Sequence, residues 1–391
     1  MIGVILVKKP LFIKKFIILI AALLIGCNST EPTQEVLAPV SLAEPEKEHI
    51  ELTVTAVGDN LIHSPIYNQA HRRTGGNSYD FKPAYINVTD YIDSDINIIN
   101  QETPIGGTEL GISSYPTFNS PYELGEDIIA MGFNVINHAN NHVYDAGPDG
   151  VTNSMNFWQE KNIPVLGMHP WNSDDGYIVY VEKKGIKVAL LAYTYGTNSG
   201  LPKECGYAVN RMNYDKISDD LKEARENSDL VILSLHFGGE YSHAPDQTQE
   251  KYVYLAAENN VDLLIGHHPH VIQKAELVTR SDGEMMPVYY SLGNFISSQD
   301  IPQCMIGGMA KVKFIGTEDD MKLDTAGFLP VINHFELNYF ATRNFLWRDY
   351  TPQHAESHGL ASDGFSYAYA ENLINKTIDR EFLENGEKLL N

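Results

Sequence analysis

The chain has 391 residues, 43% of them hydrophobic and 20% charged, with a formal net charge of −23. So acidic a surface excludes general attraction to nucleic acid or anionic lipid, and three cysteines exclude a thiolate-rich zinc site or a disulfide-dense scaffold. The length leaves room for one large domain, alone or with an appendage, around a sizeable core.

The first predicted element is a leader. Lys8, Lys9, Lys14 and Lys15 precede an apolar run over 16–25, FIILIAALLI. A relaxed membrane span needs about 20 apolar residues, whereas a run of this length suits a signal peptide. The run closes on Leu24-Ile25-Gly26-Cys27, the pattern of a lipobox. This reading makes 1–26 a lipoprotein signal peptide and Cys27 the lipidated first residue. An uncleaved anchor, or a plain signal peptide with an incidental cysteine, is the alternative. Residues 27–50 are rich in Pro, Glu, Ser and Thr and read as a disordered tether. The expected location is the cell envelope, lipid-anchored on the extracytoplasmic side of a bacterial membrane. The leader holds four lysines and no acid, so its removal takes the charge from −23 to −27.

From residue 51 strand-like and helix-like stretches alternate. Strands are predicted at 51–57, 95–100, 133–137, 186–193, 229–236 and 261–265. All but the first are short runs of Val, Ile, Leu and Tyr, as in strands buried on both faces. Helices are predicted at 121–131, 148–161, 214–227 and 245–259, with proline recurring in the first turn. Such alternation argues an α/β fold with a largely parallel sheet. Strands at 287–291, 310–315 and 328–333 lack intervening helices and are expected to finish a second, antiparallel layer. The main domain is drawn over 51–338, followed by a polar, partly helical extension, 339–391, with a helix near 371–390. Cys205 and Cys304 can pair in a secreted chain or remain thiols, and both readings stay open.

The chemistry gathers at predicted strand ends, where open α/β sheets bind ligands. Gly58-Asp59 follows the first strand, where glycine would permit a sharp turn. Glu102 follows the second. The third is followed by Asn137-His138-Ala139-Asn140-Asn141-His142 and then Asp145. His236 ends the fifth, with Glu240 close behind. Gly266-His267-His268-Pro269-His270 follows the sixth, and Tyr290-Ser291-Leu292-Gly293-Asn294 follows a later strand. Singly these are ordinary: a Gly-Asp after a strand is commonly a turn, and one strand-end histidine is commonly a hydrogen-bonded core residue. Carboxylates, an amide and several imidazoles at successive strand ends point together to a metal site. Without thiolates, the set suits Zn, Mn or Fe as one or two divalent ions. Two ions about 3.5–4 Å apart, bridged by a carboxylate, are a known arrangement for hydrolysis.

The ordered strings VGDN, NQETPIGG, NHANNHVYDAG, LHFGGEY, IGHHPHVIQ and YSLGNFI resemble the motif set of the CapA (poly-gamma-glutamate capsule biosynthesis) family. The resemblance covers residues 52 to 297. It implies kinship with calcineurin-like metallophosphoesterases and a four-layer αββα sandwich. Residue by residue it implies Asp59 as a ligand of a first metal, Glu102 as the bridging carboxylate, and Asn141 and His236 as ligands of a second. His142 is the implied catalytic imidazole, and His268 with His270 the final His-x-His pair; His267 with His270 is the other possible register. His63 stands four residues after Asp59 rather than two, and is either a ligand or a surface residue of the next helix. Asp145, Glu240, His267 and Asn294 are further possible ligands or supports. The longer Glu102 in place of aspartate, and Asn-Asn-His in place of Gly-Asn-His, loosen the link to phosphoester chemistry.

No Gly-x-Ser-x-Gly elbow, His-Glu-x-x-His helix or phosphate-binding Gly-rich loop with Lys is present. Two functional readings follow. One is a metal-dependent hydrolase of phosphoesters or glutamyl amides. The other is a non-catalytic polymer-binding or scaffold component of an envelope export complex. Expected partners are a membrane through the lipid anchor, an anionic polymer and capsule-synthesis proteins. The negative charge opposes an anionic polymer, so local positive charge must come from metals or a basic groove.

Overall fold

A computed structural model describes residues 49–173, 176–200, 206–317 and 320–390. The leader, Cys27, the tether up to residue 48 and Cys205 lie outside them. The strands are β1 (Ile50–Asn60), β2 (Ile96–Asn100), β3 (Val135–Asn137), β4 (Val165–Leu166), β5 (Met168–Pro170), β6 (Ile178–Lys183), β7 (Ile186–Thr194) and β8 (Tyr207–Val209). They continue with β9 (Leu230–His236), β10 (Leu263–His267), β11 (Ala275–Thr279), β12 (Met285–Tyr289), β13 (Asn294–Ile296), β14 (Ile306–Thr317), β15 (Asp320–Glu336) and β16 (Phe340–Leu346). Helices that flank the sheets are α1 (Ser64–Arg73), α2 (Lys82–Tyr85), α3 (Tyr122–Ala130), α4 (Gly147–Glu160), α5 (Tyr214–Asn227) and α6 (Gln247–Glu258); α7 (Pro352–Ser357), α8 (Tyr367–Thr377) and α9 (Arg380–Lys388) follow.

Two sheets form. One runs β16-β15-β14-β1-β2-β3-β4, with β13 pairing beside β1, and the other runs β11-β12-β10-β9-β7-β6. β1 to β4 are mutually parallel, as are β7, β9, β10 and β12. Alternate residues face alternate layers. Leu52, Val54, Ala56 and Ile98 meet Val188, Leu190, Ile232 and Ile265 between the sheets. Val57, Ile99 and Ile136 point the other way, onto Ile66, Tyr85, Leu124 and Trp158 of the first helical layer. Leu191, Leu233 and Leu235 pack on Ile217, Leu221, Val253 and Ala256 of α5 and α6. The result is a four-layer αββα sandwich, as the motif resemblance implied. Both faces of each central strand are buried, which is why their sequences read as nearly unbroken apolar runs.

Three expectations change. The late strands do not build one antiparallel layer: β12 joins the second sheet, whereas β14 and β15 extend the first, antiparallel to β1. The predicted strand at 51–57 runs on to Asn60, so Gly58 makes no sharp turn. A Cβ there would lie 1.9 Å from the Gly293 carbonyl oxygen, so its glycine serves close backbone approach. The helix near 371–390 is two helices, broken where Ile378 and Asp379 turn extended and Asp379 begins α9. β16 pairs with β15, so the polar C-terminal segment contributes a strand to the first sheet. Cys304 is a buried free thiol, pushed up to about 12 by burial and by nearby Glu240 and Asp59.

The C-terminal segment also packs a histidine that must stay neutral. His358 donates through Nε2 to the Asn333 carbonyl at 3.0 Å and accepts the Leu360 N–H at Nδ1, also 3.0 Å. A proton on Nδ1 would face that N–H, and burial already lowers the imidazole from 6.5 to about 4. The unfolded chain therefore binds a proton that the folded chain refuses. Stability from this group is complete above about pH 6.5 and is lost as pH falls toward 4, by up to about 1.4 kcal/mol per pH unit. Urea unfolding at pH 5 and 7 should show the loss, and His358→Gln should flatten the slope; an unchanged slope would refute the assignment.

Candidate metal centre

The carboxyl ends of the parallel strands in the two sheets converge. Asp59 leaves β1 fully buried, and its Oδ1 accepts the Asn100 amide from the end of β2 at 2.7 Å. Across from it, His267 Nδ1 lies 3.6 Å from Oδ1 and His270 Nδ1 lies 3.0 Å from Oδ2. Glu102, also fully buried, has Oε1 3.6 Å from His236 Nε2 and 4.0 Å from His270 Nε2. His236 Nε2 donates to the Asn141 amide oxygen at 2.7 Å. The His268 ring stands 4.9 Å from that of His236 and 5.9 Å from that of His270.

All six predicted ligands thus share one buried cluster, with Glu102 between two subsets. Asp59 and His270 stand on one side of it; Asn141, His236 and His268 stand on the other. Both registers of the last motif reach the cluster, because His267 and His270 face Asp59 while His268 turns toward His236. That fan depends on the backbone. His268 and His270 take φ of +97° and +58°, a left-handed region that costs non-glycine residues about 1–3 kcal/mol.

The donors fit a divalent cation. Both Glu102 oxygens, both His267 nitrogens, His268 Nδ1 and Asn100 Oδ1 are buried without a hydrogen-bond partner. Such groups carry an uncompensated desolvation cost that a cation offsets. Among the described residues, Asp59, Glu102 and His270 form one group able to hold an ion, and Glu240, His268 and His270 another. Electrostatics separates the two inner carboxylates. Burial, then the charges of Asp59, Glu240 and Asp145, drive Glu102 well above the usual range. Burial opposes ionisation of Asp59 as well, but the facing imidazoles of His267 and His270 outweigh it and hold Asp59 well below that range. Burial lowers His268 to about 4 and keeps His236 neutral, the form in which imidazole ligates.

The other predicted residues take supporting places. His142 Nδ1 donates to Asp145 Oδ2 at 2.6 Å, and Asp145 also accepts the Phe118 N–H at 3.0 Å. His142 Nε2 lies 3.4 Å from the Asn198 amide. Asn294 Oδ1 is 3.1 Å from His270 Nδ1 and orients that ring. His63 sits at the N-cap of α1 rather than on its outer surface, beside Leu61 O and the Ser298 N–H, edge-on to Phe118. It belongs to neither candidate metal group. Glu240 stands exposed at the mouth.

Residues not foreseen complete the site. Asn100 ends β2, so the strand-end rule reaches it. Phe118, Asn198 and Tyr195 come from loops whose approach sequence spacing does not encode. His138 braces the site from behind. It accepts the Trp158 indole N–H at 2.9 Å and lies 3.1 Å from the Gln101 carbonyl, which also takes the Asn140 amide at 3.0 Å. The peptide preceding Glu102 is therefore clamped twice.

The fold and site define a four-layer sandwich with a buried His, Asn and carboxylate cluster where its two sheets meet. The chain belongs to the bacterial capsule synthesis protein family PGA_cap, whose model matches residues 53–299. It is 28% identical over 303 residues to the capsule biosynthesis protein CapA of Bacillus anthracis, covering 75% of this chain and 70% of that one. It is 29% identical over 171 residues to the PGA biosynthesis protein CapA of Bacillus subtilis (strain 168), covering 43% and 44%. The calcineurin-like phosphoesterase YfkN from Bacillus subtilis aligns at 12% identity and a TM-score of 0.42, covering 88% of this chain and all of that chain. Among the described residues no helix is long and apolar enough to cross a membrane.

Proposed function

We propose that this member of the capsule synthesis family is a metal-dependent hydrolase, lipid-anchored at Cys27 in the cell envelope, that cuts a phosphoester or glutamyl amide of a surface polymer or its precursor. The observation that carries the reading is the set of buried, unpartnered donor atoms on Glu102, His267 and His268. Asp59, Glu102 and His270 would hold one ion; Asn141, His236 and His268, sharing Glu102, would hold a second. Bound there, a divalent ion of Mn, Zn or Fe supplies Lewis-acid polarisation of the scissile group and a water acidic enough to attack it near neutral pH.

The chain's own residues do the rest. The Asp145 carboxylate fixes His142 through Nδ1, so Nε2 is the nitrogen that exchanges a proton at the cleft. His142 therefore serves as general acid toward the leaving group. The Phe118 and Ser199 bonds to Asp145 keep that carboxylate from turning away. Asp145→Asn should lower kcat about 10²-fold with little change in KM, because the amide no longer stabilises a protonated His142. A proportional rise in KM would instead mean that the pair only binds substrate. The purely polymer-binding reading is less well supported, since the described residues lining the cleft include no Lys or Arg.

The test is metal content of the purified protein by mass spectrometry, with assays on phosphoester and glutamyl-amide panels. Bound metal and turnover of one panel are expected. With metal at 100 times its Kd, unfolding should be opposed by a further ~2.7 kcal/mol. Protein that takes up no Mn, Zn or Fe and hydrolyses neither panel would overturn the proposal.

A further inference from the structure

Away from the metal centre, the segment after β16 packs Tyr350, Ala355 and Leu360 into one apolar cluster with Ile332 and Phe345 of the first sheet. That packing surrounds a second group of polar side chains. His334 and Arg343 are directly opposed across β15 and β16, so their side chains share one face of the sheet. The Phe345 ring lies among them. The His354 ring centre is 4.5 Å from it, the Arg343 guanidinium carbon 5.4 Å and the His334 ring centre 5.7 Å. The two imidazole rings are 6.0 Å apart.

His334 is 1% exposed, yet its Nε2 has no hydrogen-bond partner, and neither has the buried Nε of Arg343. Burial, then the neighbouring His358, Arg343 and His354, lowers His334 to about 3, so its ring is neutral and carries one proton. The neighbours place that proton. Tyr350, also buried, has its hydroxyl 3.0 Å from His334 Nδ1 and no other hydrogen-bond partner among the described residues. A buried hydroxyl places its proton on an acceptor, so Tyr350 donates to Nδ1 and the ring proton sits on Nε2. The Thr351 N–H donates to His354 Nδ1 at 3.2 Å, which puts the proton of that ring on Nε2 as well. His358 spends both its nitrogens on backbone groups. Three N–H donors are thus left without an acceptor among the described residues: His334 Nε2, His354 Nε2 and Arg343 Nε. The carboxylate nearest Arg343, Glu336, lies 3.9 Å away, beyond hydrogen-bond reach. A metal ion does not suit the group, because each imidazole lone pair is already engaged.

We propose that His334, Arg343 and His354 form a second binding site, which takes an oxyanion, the carboxylate or phosphate group of a ligand. Arg343 supplies the charge and the two neutral imidazoles supply further donors. The way in is past Arg343, whose side chain is 39% exposed, and the half-buried His354. Buried donors left unpaired carry a desolvation cost, and one anion would relieve several at once through charge-assisted bonds. The chain as a whole repels anions, with its net charge of −23. The site therefore selects by short-range geometry rather than by attraction from a distance. None of its residues is a ligand of the proposed metal centre, and the inference does not depend on the hydrolase reading.

The test is calorimetric titration of the mature chain with inorganic phosphate and, separately, with acetate. Each titration is run with metal and again in chelator, which removes any contribution of the metal centre. One binding event should persist in chelator. Arg343→Gln should weaken that event at least about tenfold. His354→Phe, which keeps a ring against Phe345 but has no N–H, should weaken the same event. Arg343→Lys keeps the charge without the Nε donor and should fall between Arg343→Gln and the native chain. Tighter phosphate assigns the site to a phosphate group, and tighter acetate to a carboxylate. Binding of neither anion in chelator, or an event that both Arg343→Gln and His354→Phe leave unchanged, would overturn the proposal.

Discussion

Glu102→Gln is expected to abolish hydrolysis, by about 10³-fold or more, while leaving the metal-free protein at least as stable as the native chain. Glu102 stands between both halves of the cluster, and both its oxygens lack a hydrogen-bond partner. Losing its charge removes the donor that the two proposed ion positions share, and metal-derived transition-state stabilisation is worth several kcal/mol, or several decades in rate. Stability should move the other way. Burial and the neighbouring Asp59, Glu240 and Asp145 disfavour the charged carboxylate in the native state, so a neutral amide of the same shape relieves a cost. Sites held for function commonly lower stability. Mass-spectrometric metal content, kcat and thermal unfolding in chelator check the three parts. A variant that keeps its metal and its rate would remove Glu102 from the centre, and one that unfolds markedly earlier in chelator would make its role structural.

Gly58→Ala is expected to be one of the most damaging single-methyl changes near the site, costing about 4 kcal/mol or more. The added carbon would meet the Gly293 carbonyl oxygen at 1.9 Å, its carbon at 2.9 Å and the Leu292 oxygen at 3.0 Å. All three are backbone atoms, so no side chain can swing aside. The Asp59 N–H donates to that same Gly293 carbonyl at 2.9 Å. Relief therefore requires the segment before β13 to move away from β1, which breaks the bond that sets Asp59. Losses of this size come from steric overpacking of backbone in a core. Chemical denaturation measures the loss. A change under about 1 kcal/mol would mean that the strand relaxes at little cost.

Much of this architecture was legible from the chain. The parallel strands announced themselves because burial on both faces demands Val, Ile and Leu throughout, and the strand-end rule then collected Asp59, Glu102, Asn141, His236, His268 and His270. The rule failed where composition is silent about direction. Gly58 suggested a turn, whereas its lack of a Cβ answers a neighbour more than 230 residues away in sequence. The late strands carried no helices to show which sheet each would join. The order of His267, His268 and His270 could not reveal which ring faces which partner, because two of them sit in a backbone region that propensity does not foresee. Tyr241 and Asn198 reached the cleft through loop paths set by tertiary contacts. The acidity of the chain did suggest the problem that the cleft now poses in residues: its described lining holds no Lys or Arg, so positive charge for an anionic substrate falls to the proposed metal and the imidazoles.

The first strand carries a directional consequence. It spans Ile50 to Asn60, about 35 Å of extended chain, and the cluster begins at its far end with Asp59. Ile50 and Asp59 thus stand a full strand length apart, so a spectroscopic label attached at Ile50 would sit at the opposite end of β1 and leave the cluster undisturbed.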